Sequence, residues 1–169
     1  MMRAGFGKWE LTPPMGIELA GYGYYLKRCA LSVRDPLYAR AVLLEDEQGK
    51  SLVISCDLLG LSKKVCAEVF RHAEKYGVAE ENVIIVSIHT HTGPGYTRTR
   101  RLAGSKGNLG NLEILRDFMT PDQEYIPAAN ISDNNPETMV GDEMLQFLVE
   151  RIPQAVIEAW QNRAPGSFT

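Results

Sequence analysis

The chain has 169 residues, 44% of them hydrophobic and 23% charged, proportions that suit one ordinary globular domain with enough apolar side chains for a core. A formal net charge of −3 argues against a general nucleic-acid binder, which needs a basic balance across the domain. The longest apolar runs, such as Val83-Ile84-Ile85-Val86, fall far short of the roughly 20 residues that span a bilayer, so no transmembrane segment is expected.

Residues 1–10 hold no signal-like apolar stretch, and a cytoplasmic location is the expectation. Residues 4–11 alternate small or apolar with polar side chains up to Thr12-Pro13-Pro14, which predicts a short strand ended by a rigid turn. Residues 16–35, with Gly21-Tyr22-Gly23-Tyr24-Tyr25, have too many flexible positions for a helix and too little alternation for a strand. This loop is either an aromatic surface packed over the sheet edge or a wall of a substrate pocket.

Two apolar runs at 38–45 and 51–57, joined by a polar turn containing Gly49, predict a hairpin. A helix follows over 62–76, with Ser62 as N-cap, Val65, Val69, Phe70 and Ala73 on one face, and Gly77 where a left-handed residue ends the helix. Asn82 introduces the apolar run 83–88, which reads as a central strand covered on both faces. The stretch 93–136 shows no sustained period beyond a short helix near 112–119, and long loops of this kind are functional or disordered. Asn135-Pro136-Glu137 then caps a helix running to about 161, bent at Pro153, and residues 166–169 look like the start of another strand. Cys29, Cys56 and Cys66 are odd in number and lack close pairing, so they read as free thiols, Cys56 and Cys66 buried. The order of elements predicts an α/β fold, a mixed β-sheet with helices packed on its faces.

The chemistry concentrates at Ser87-Ile88-His89-Thr90-His91-Thr92-Gly93-Pro94-Gly95. If residues 83–91 stay extended, His89 and His91 leave the same face with about 6.6 Å of rise between them. Gly93-Pro94-Gly95 must end the strand at once, placing both rings at its carboxyl end, where ligands bind in open α/β sheets. Two imidazoles so placed converge on one divalent cation, or one binds it while the other transfers protons; the plainer alternative is a pair that hydrogen-bonds a turn. A catalytic zinc commonly takes three protein ligands and keeps a place for water, so the pair alone does not complete a site. His72, the remaining histidine, lies in the 62–76 helix and reads as an amphipathic surface residue. Asp57 is either a ligand or supporting partner of the histidines or a carboxylate capping a turn. Arg98, Arg100 and Arg101 suit an anionic or polar substrate, or form a solvated basic loop.

The run His89-Thr90-His91-Thr92-Gly93-Pro94-Gly95 resembles the His-Thr-His-Ser-Gly-Pro-Gly signature of the neutral/alkaline non-lysosomal ceramidases. The opening Gly5-Phe6-Gly7-Lys8-Trp9-Glu10-Leu11-Thr12-Pro13-Pro14, the Gly-Tyr loop, Asp35-Pro36-Leu37-Tyr38-Ala39-Arg40-Ala41 and Asp57-Leu58-Leu59-Gly60 are similar to that family in the same order. The resemblance implies that residues 1–169 are the amino-terminal portion of a larger catalytic domain. It implies a zinc-dependent hydrolase of an amide, or an ester, in which metal-bound water attacks a carbonyl, acting on a small-molecule or lipid-like amide substrate. His89 would be a zinc ligand; His91 would stand beside the metal, holding the water or the tetrahedral intermediate. Asp57, Gly93 and Arg98 would bind substrate or support the ligands. The family's other ligands, a second histidine, a glutamate and a tyrosine, would come from downstream of this chain. The alternative is a non-catalytic α/β binding or assembly module that keeps the fold without a working metal site.

Overall fold

The computed structural model describes residues 1–17, 19–21, 29–95 and 142–167. The strands are β1 (Arg3–Glu10), β2 (Tyr38–Glu45), β3 (Lys50–Cys56), β4 (Val83–Ser87) and β5 (Ala164–Pro165); the helices are α1 (Lys63–Lys75) and α2 (Asp142–Gln161). The sheet runs β4-β3-β2-β1-β5, antiparallel at every step except the parallel pair of β3 and β4. It is the mixed α/β sheet expected. The hairpin forms as read, with the Asp46 carboxylate accepting the Gln48 and Gly49 N–H groups to close the turn.

Helix α1 begins where Ser62 accepts the Val65 N–H. It ends where Gly77, at φ +73, lets its own N–H reach the Glu74 carbonyl while Val78 N–H reaches that of Ala73. Its buried stripe of Val65, Val69 and Ala73 meets Leu43, Leu52 and Ile54 of the sheet and Met144, Leu148, Ile152 and Val156 of α2. Each of these valine, leucine, isoleucine and methionine side chains contributes about 1.5–3 kcal/mol on burial. Gly5 and Gly7 let α2 lie directly on β1: a Cβ at either would collide with the carbonyl oxygen of Ala159 or Ala155. β5 pairs only with Arg3 and Ala4, so α2 and the residue after it satisfy groups farther along β1, Glu158 accepting the Lys8 N–H and Asn162 donating to the Phe6 carbonyl.

Several details differ from expectation. β4 is an edge strand among the described residues, not a central one, and Ile84, Val86 and Ile88 are exposed. The pairing register sets Phe6, Val42, Val53 and Ile84 in one row across the sheet, on the face opposite the helix-covered Gly7, Ala41 and Ile54. An unbroken apolar run is compatible with cover on two faces, but the described helices cover one. Cys66 is half-buried rather than buried, because the helix turns it away from Val65 and Val69; none of the three cysteines is in a disulfide. The last strand arrives two residues early, at Ala164. The loop at 93–136 beyond Gly95, its helix at 112–119 and the cap at 135–137 lie outside the described residues. Among the described residues no helix is long and apolar enough to cross a membrane.

Candidate active site

The parallel pair sets the carboxyl ends of β3 and β4 side by side, and the chain leaves both at the same edge of the sheet. After β3, Asp57-Leu58-Leu59-Gly60 turns toward α1; after β4, residues 88–95 run alongside it. The two segments are laced by backbone: Ile88 N–H donates to the Cys56 carbonyl, and Thr90 N–H to that of Leu58. Thr90 and Thr92 close the turn through a 2.9 Å hydroxyl contact, with the Thr92 N–H donating to Thr90 Oγ1.

His89 does not continue the strand. It sits at φ 62, the one non-glycine residue in the left-handed region among those described, a conformation that costs an L-residue about 1–2 kcal/mol. Its Nδ1 lies 2.9 Å from the Leu59 carbonyl oxygen, which also accepts the Ser87 hydroxyl. A carbonyl can only accept, so Nδ1 carries the proton and the Nε2 lone pair of the neutral ring is left for a metal or a proton. His91 reaches the same place: the two ring centroids are 5.3 Å apart at an interplanar angle of 72°, and both residues are exposed. A hollow of about 700 Å³ between α1 and the turn at Glu80–Asn82 lies elsewhere.

Asp57 is placed behind this turn. Only 8% exposed, it accepts the Tyr38 N–H at 2.9 Å and Arg40 Nη1 at 2.7 and 2.8 Å. Its connection to the histidines runs through backbone, since Leu58 and Leu59 follow it directly. Beneath it the buried Cys56 thiol is pushed up from 9.0 to about 12, first by burial, then by the Asp57 charge and by Cys66. Gly93 is buried, its Cα facing the Asp57 carbonyl. Arg98, with Arg100 and Arg101, lies outside the described residues. His72 stands apart, its Nδ1 on the Glu68 carbonyl of α1.

Three contributors escaped the sequence reading: the Leu59 carbonyl, Arg40 and Gly21. Gly21 belongs to a strap in which Leu19 bridges Pro94 and the Ala20 N–H donates to the Gly93 carbonyl. The Asp57-Leu58-Leu59-Gly60 strand end was visible in the sequence, but a carbonyl's partner is not.

Residues 2–106, more than half of the chain, match the family model described as neutral/alkaline non-lysosomal ceramidase, N-terminal. The chain belongs to the neutral/alkaline non-lysosomal ceramidases. A neutral ceramidase of Drosophila melanogaster is 31% identical over 55% of this chain and 14% of its own length. Neutral ceramidase 3 of Arabidopsis thaliana is 25% identical over 97% of this chain and 19% of its own. The crystal structure of neutral ceramidase from Pseudomonas aeruginosa shares the fold, with a TM-score of 0.64 at 22% identity, over 98% of this chain and 22% of that one. This ceramidase-family chain thus spans less than a quarter of the relatives it matches.

The spacing of the histidine pair is compatible with a zinc ion held by one ring or by both. With Zn–N bonds of about 2.0–2.1 Å, a ring centroid stands roughly 3 Å from the ion, so two imidazoles on one tetrahedral ion have centroids about 5 Å apart. The observed 5.3 Å fits that, and equally fits one ligand with its neighbour beside the ion. Among the described residues no third His, Cys, Asp or Glu joins them.

Proposed function

We propose that this chain forms one wall of the active site of a zinc-dependent ceramidase, which hydrolyses the amide of ceramide to a fatty acid and a sphingoid base. The observation that carries the reading is the Leu59 carbonyl on His89 Nδ1, in a residue held at a strained backbone angle with a second imidazole beside it. With Nδ1 donating to Leu59, the ring keeps the Nε2 lone pair for a metal or a proton. Backbone strain of this kind gathers where function over-determines geometry.

Zinc, when bound, supplies an acidified water and a polarised scissile carbonyl. His89 would hold it through Nε2, and further ligands would come from outside the described residues. His91, edge-on to His89, hydrogen-bonds the attacking water or the oxygen on which charge develops. Asp57 and Arg40 keep the Leu58-Leu59 carbonyls in place, which keeps the proton on His89 Nδ1. Gly93 lets the turn pass close against the Asp57 backbone. Arg98 is assigned to substrate polar groups on charge alone.

Metal analysis and ceramide hydrolysis by the full protein test this. One zinc per chain is expected, lost in His89→Ala together with fatty-acid release. His91→Ala should keep its zinc and slow hydrolysis on the order of 10²–10⁴-fold. Zinc retained in His89→Ala overturns the ligand assignment. A wild-type protein with neither zinc nor hydrolysis is the non-catalytic module instead.

A further inference from the structure

We propose that Gly21 is a positioning residue for His91: its missing side chain is the slot in which the imidazole sits. This rests on the role given to His91 under the ceramidase reading. A Cβ built on Gly21 would lie 2.5 Å from His91 Nδ1, 2.7 Å from Cε1 and 2.9 Å from Cγ, distances at which ring and carbon cannot coexist. The three nearest ring atoms include Nδ1 and not Nε2, so the strap covers the Nδ1 side of the ring. The slot has fixed walls. Leu19 is bridged to Pro94 and the Ala20 N–H donates to the Gly93 carbonyl at 3.0 Å, so the strap is tied to the turn that carries His91. Its root is tied down as well: Ile17 is 2% exposed, its carbonyl accepts the Ala30 N–H, and the Gly16 N–H donates to the Ala30 carbonyl.

His89 donates from Nδ1 to the Leu59 carbonyl of the β3 turn, and the strap backbone at Gly21 packs against the Nδ1 side of the His91 ring, which stands edge-on to its neighbour. A methyl group at position 21 would push the His91 ring out of its place while leaving His89 Nδ1 on Leu59.

The chain contains its own control. Gly16 and Gly21 lie in the same strap, at φ +82 and +89, but a Cβ at Gly16 meets nothing within 4 Å. Gly16→Ala and Gly21→Ala both force a side chain into the left-handed region, and only the second also strikes the imidazole. The two variants are compared in the full protein with ¹³C-labelled histidine, the His91 ring signal being identified by its loss in His91→Ala. Gly21→Ala should shift that signal and leave the His89 signal and zinc content unchanged; Gly16→Ala should move neither. With ceramide as substrate, Gly21→Ala should lower kcat about 10–100-fold with KM within about twofold, whereas Gly16→Ala keeps the wild-type kcat. In a His91→Ala background, Gly21→Ala should lower Tm no more than Gly16→Ala does. A His91 signal unmoved by Gly21→Ala, or a kcat that falls equally in both glycine variants, overturns the proposal. If the wild-type protein does not hydrolyse ceramide the ceramidase reading fails, and the ring signal still decides whether Gly21 places His91.

Discussion

Replacing Asp57 by asparagine asks whether the histidine turn is held from behind. The carboxylate makes two kinds of contact, and their magnitudes differ. Arg40 Nη1 sits 2.7 and 2.8 Å from its oxygens, but the arginine side chain is 47% exposed, so solvent holds that pair to about 1 kcal/mol or less. The Tyr38 N–H, at 2.9 Å and part-buried, makes a charge-assisted bond of about 1.5–3 kcal/mol, roughly half of which a neutral amide oxygen recovers. Asp57→Asn should therefore cost about 2 kcal/mol. Asp57→Ala, which leaves the Tyr38 N–H without an acceptor, should cost about 3 kcal/mol. At about 2–4 °C per kcal/mol for a domain of this size, Tm falls by roughly 4–8 °C in Asp57→Asn. Leu58 and Leu59 then gain freedom, His89 Nδ1 loses a fixed acceptor, and zinc affinity should drop about 10–100-fold. Thermal unfolding and zinc competition against a chelating dye, run on wild type, Asp57→Asn, Arg40→Met and the double variant, give both numbers. The two substitutions should couple by about 0.5 kcal/mol or more. An Asp57→Asn protein that loses stability yet binds zinc as wild type does would refute the link from carboxylate to turn to imidazole.

Other outcomes follow from the packing beneath the site. Because the Cys56 thiol is held up from 9.0 to about 12, the folded chain keeps a proton that the unfolded chain releases. Its contribution is complete below pH 9 and is lost as pH climbs from 9 toward about 12, at no more than about 1.4 kcal/mol per pH unit; urea midpoints measured across that window should fall more steeply in wild type than in Cys56→Ala, and equal slopes would refute the assignment. Gly7→Ala drives a methyl group into the Ala155 carbonyl and the Ala159 amide of α2; a loss of at least about 1–3 kcal/mol is expected from the urea midpoint, whereas an unchanged midpoint would mean that α2 can lift off β1 freely.

Much of the fold was legible because its signals are local. The hairpin announced itself by two apolar runs and a polar turn containing Gly49, and α1 by Ser62 at one end and Gly77 at the other, each acting on backbone groups three to five residues away. β4 was legible as a strand but not as an edge. Val83-Ile84-Ile85-Val86 states only that both faces tolerate apolar side chains; which face is covered depends on α1 and α2, and α2 lies some sixty residues farther along the chain.

The histidine pair is the instructive case, since the two rings meet by a route that strand periodicity does not describe. Alternation would carry both imidazoles along one face of an extended segment, but the strand stops at Ser87 and His89 takes a left-handed angle that breaks the period. What restores the convergence comes from outside the motif: the Leu59 carbonyl thirty residues earlier fixes one ring, and Gly21, seventy residues earlier, leaves space for the other. A two-residue spacing can nominate a site, then, but its geometry belongs to the backbone around it. Arg40 and Gly21 stood inside stretches that the sequence singled out, but their roles were not legible there, because a guanidinium and an absent side chain acquire meaning only from what packs against them. Substitutions behind and beside the histidines, more than at them, distinguish a built site from two imidazoles that happen to be near each other.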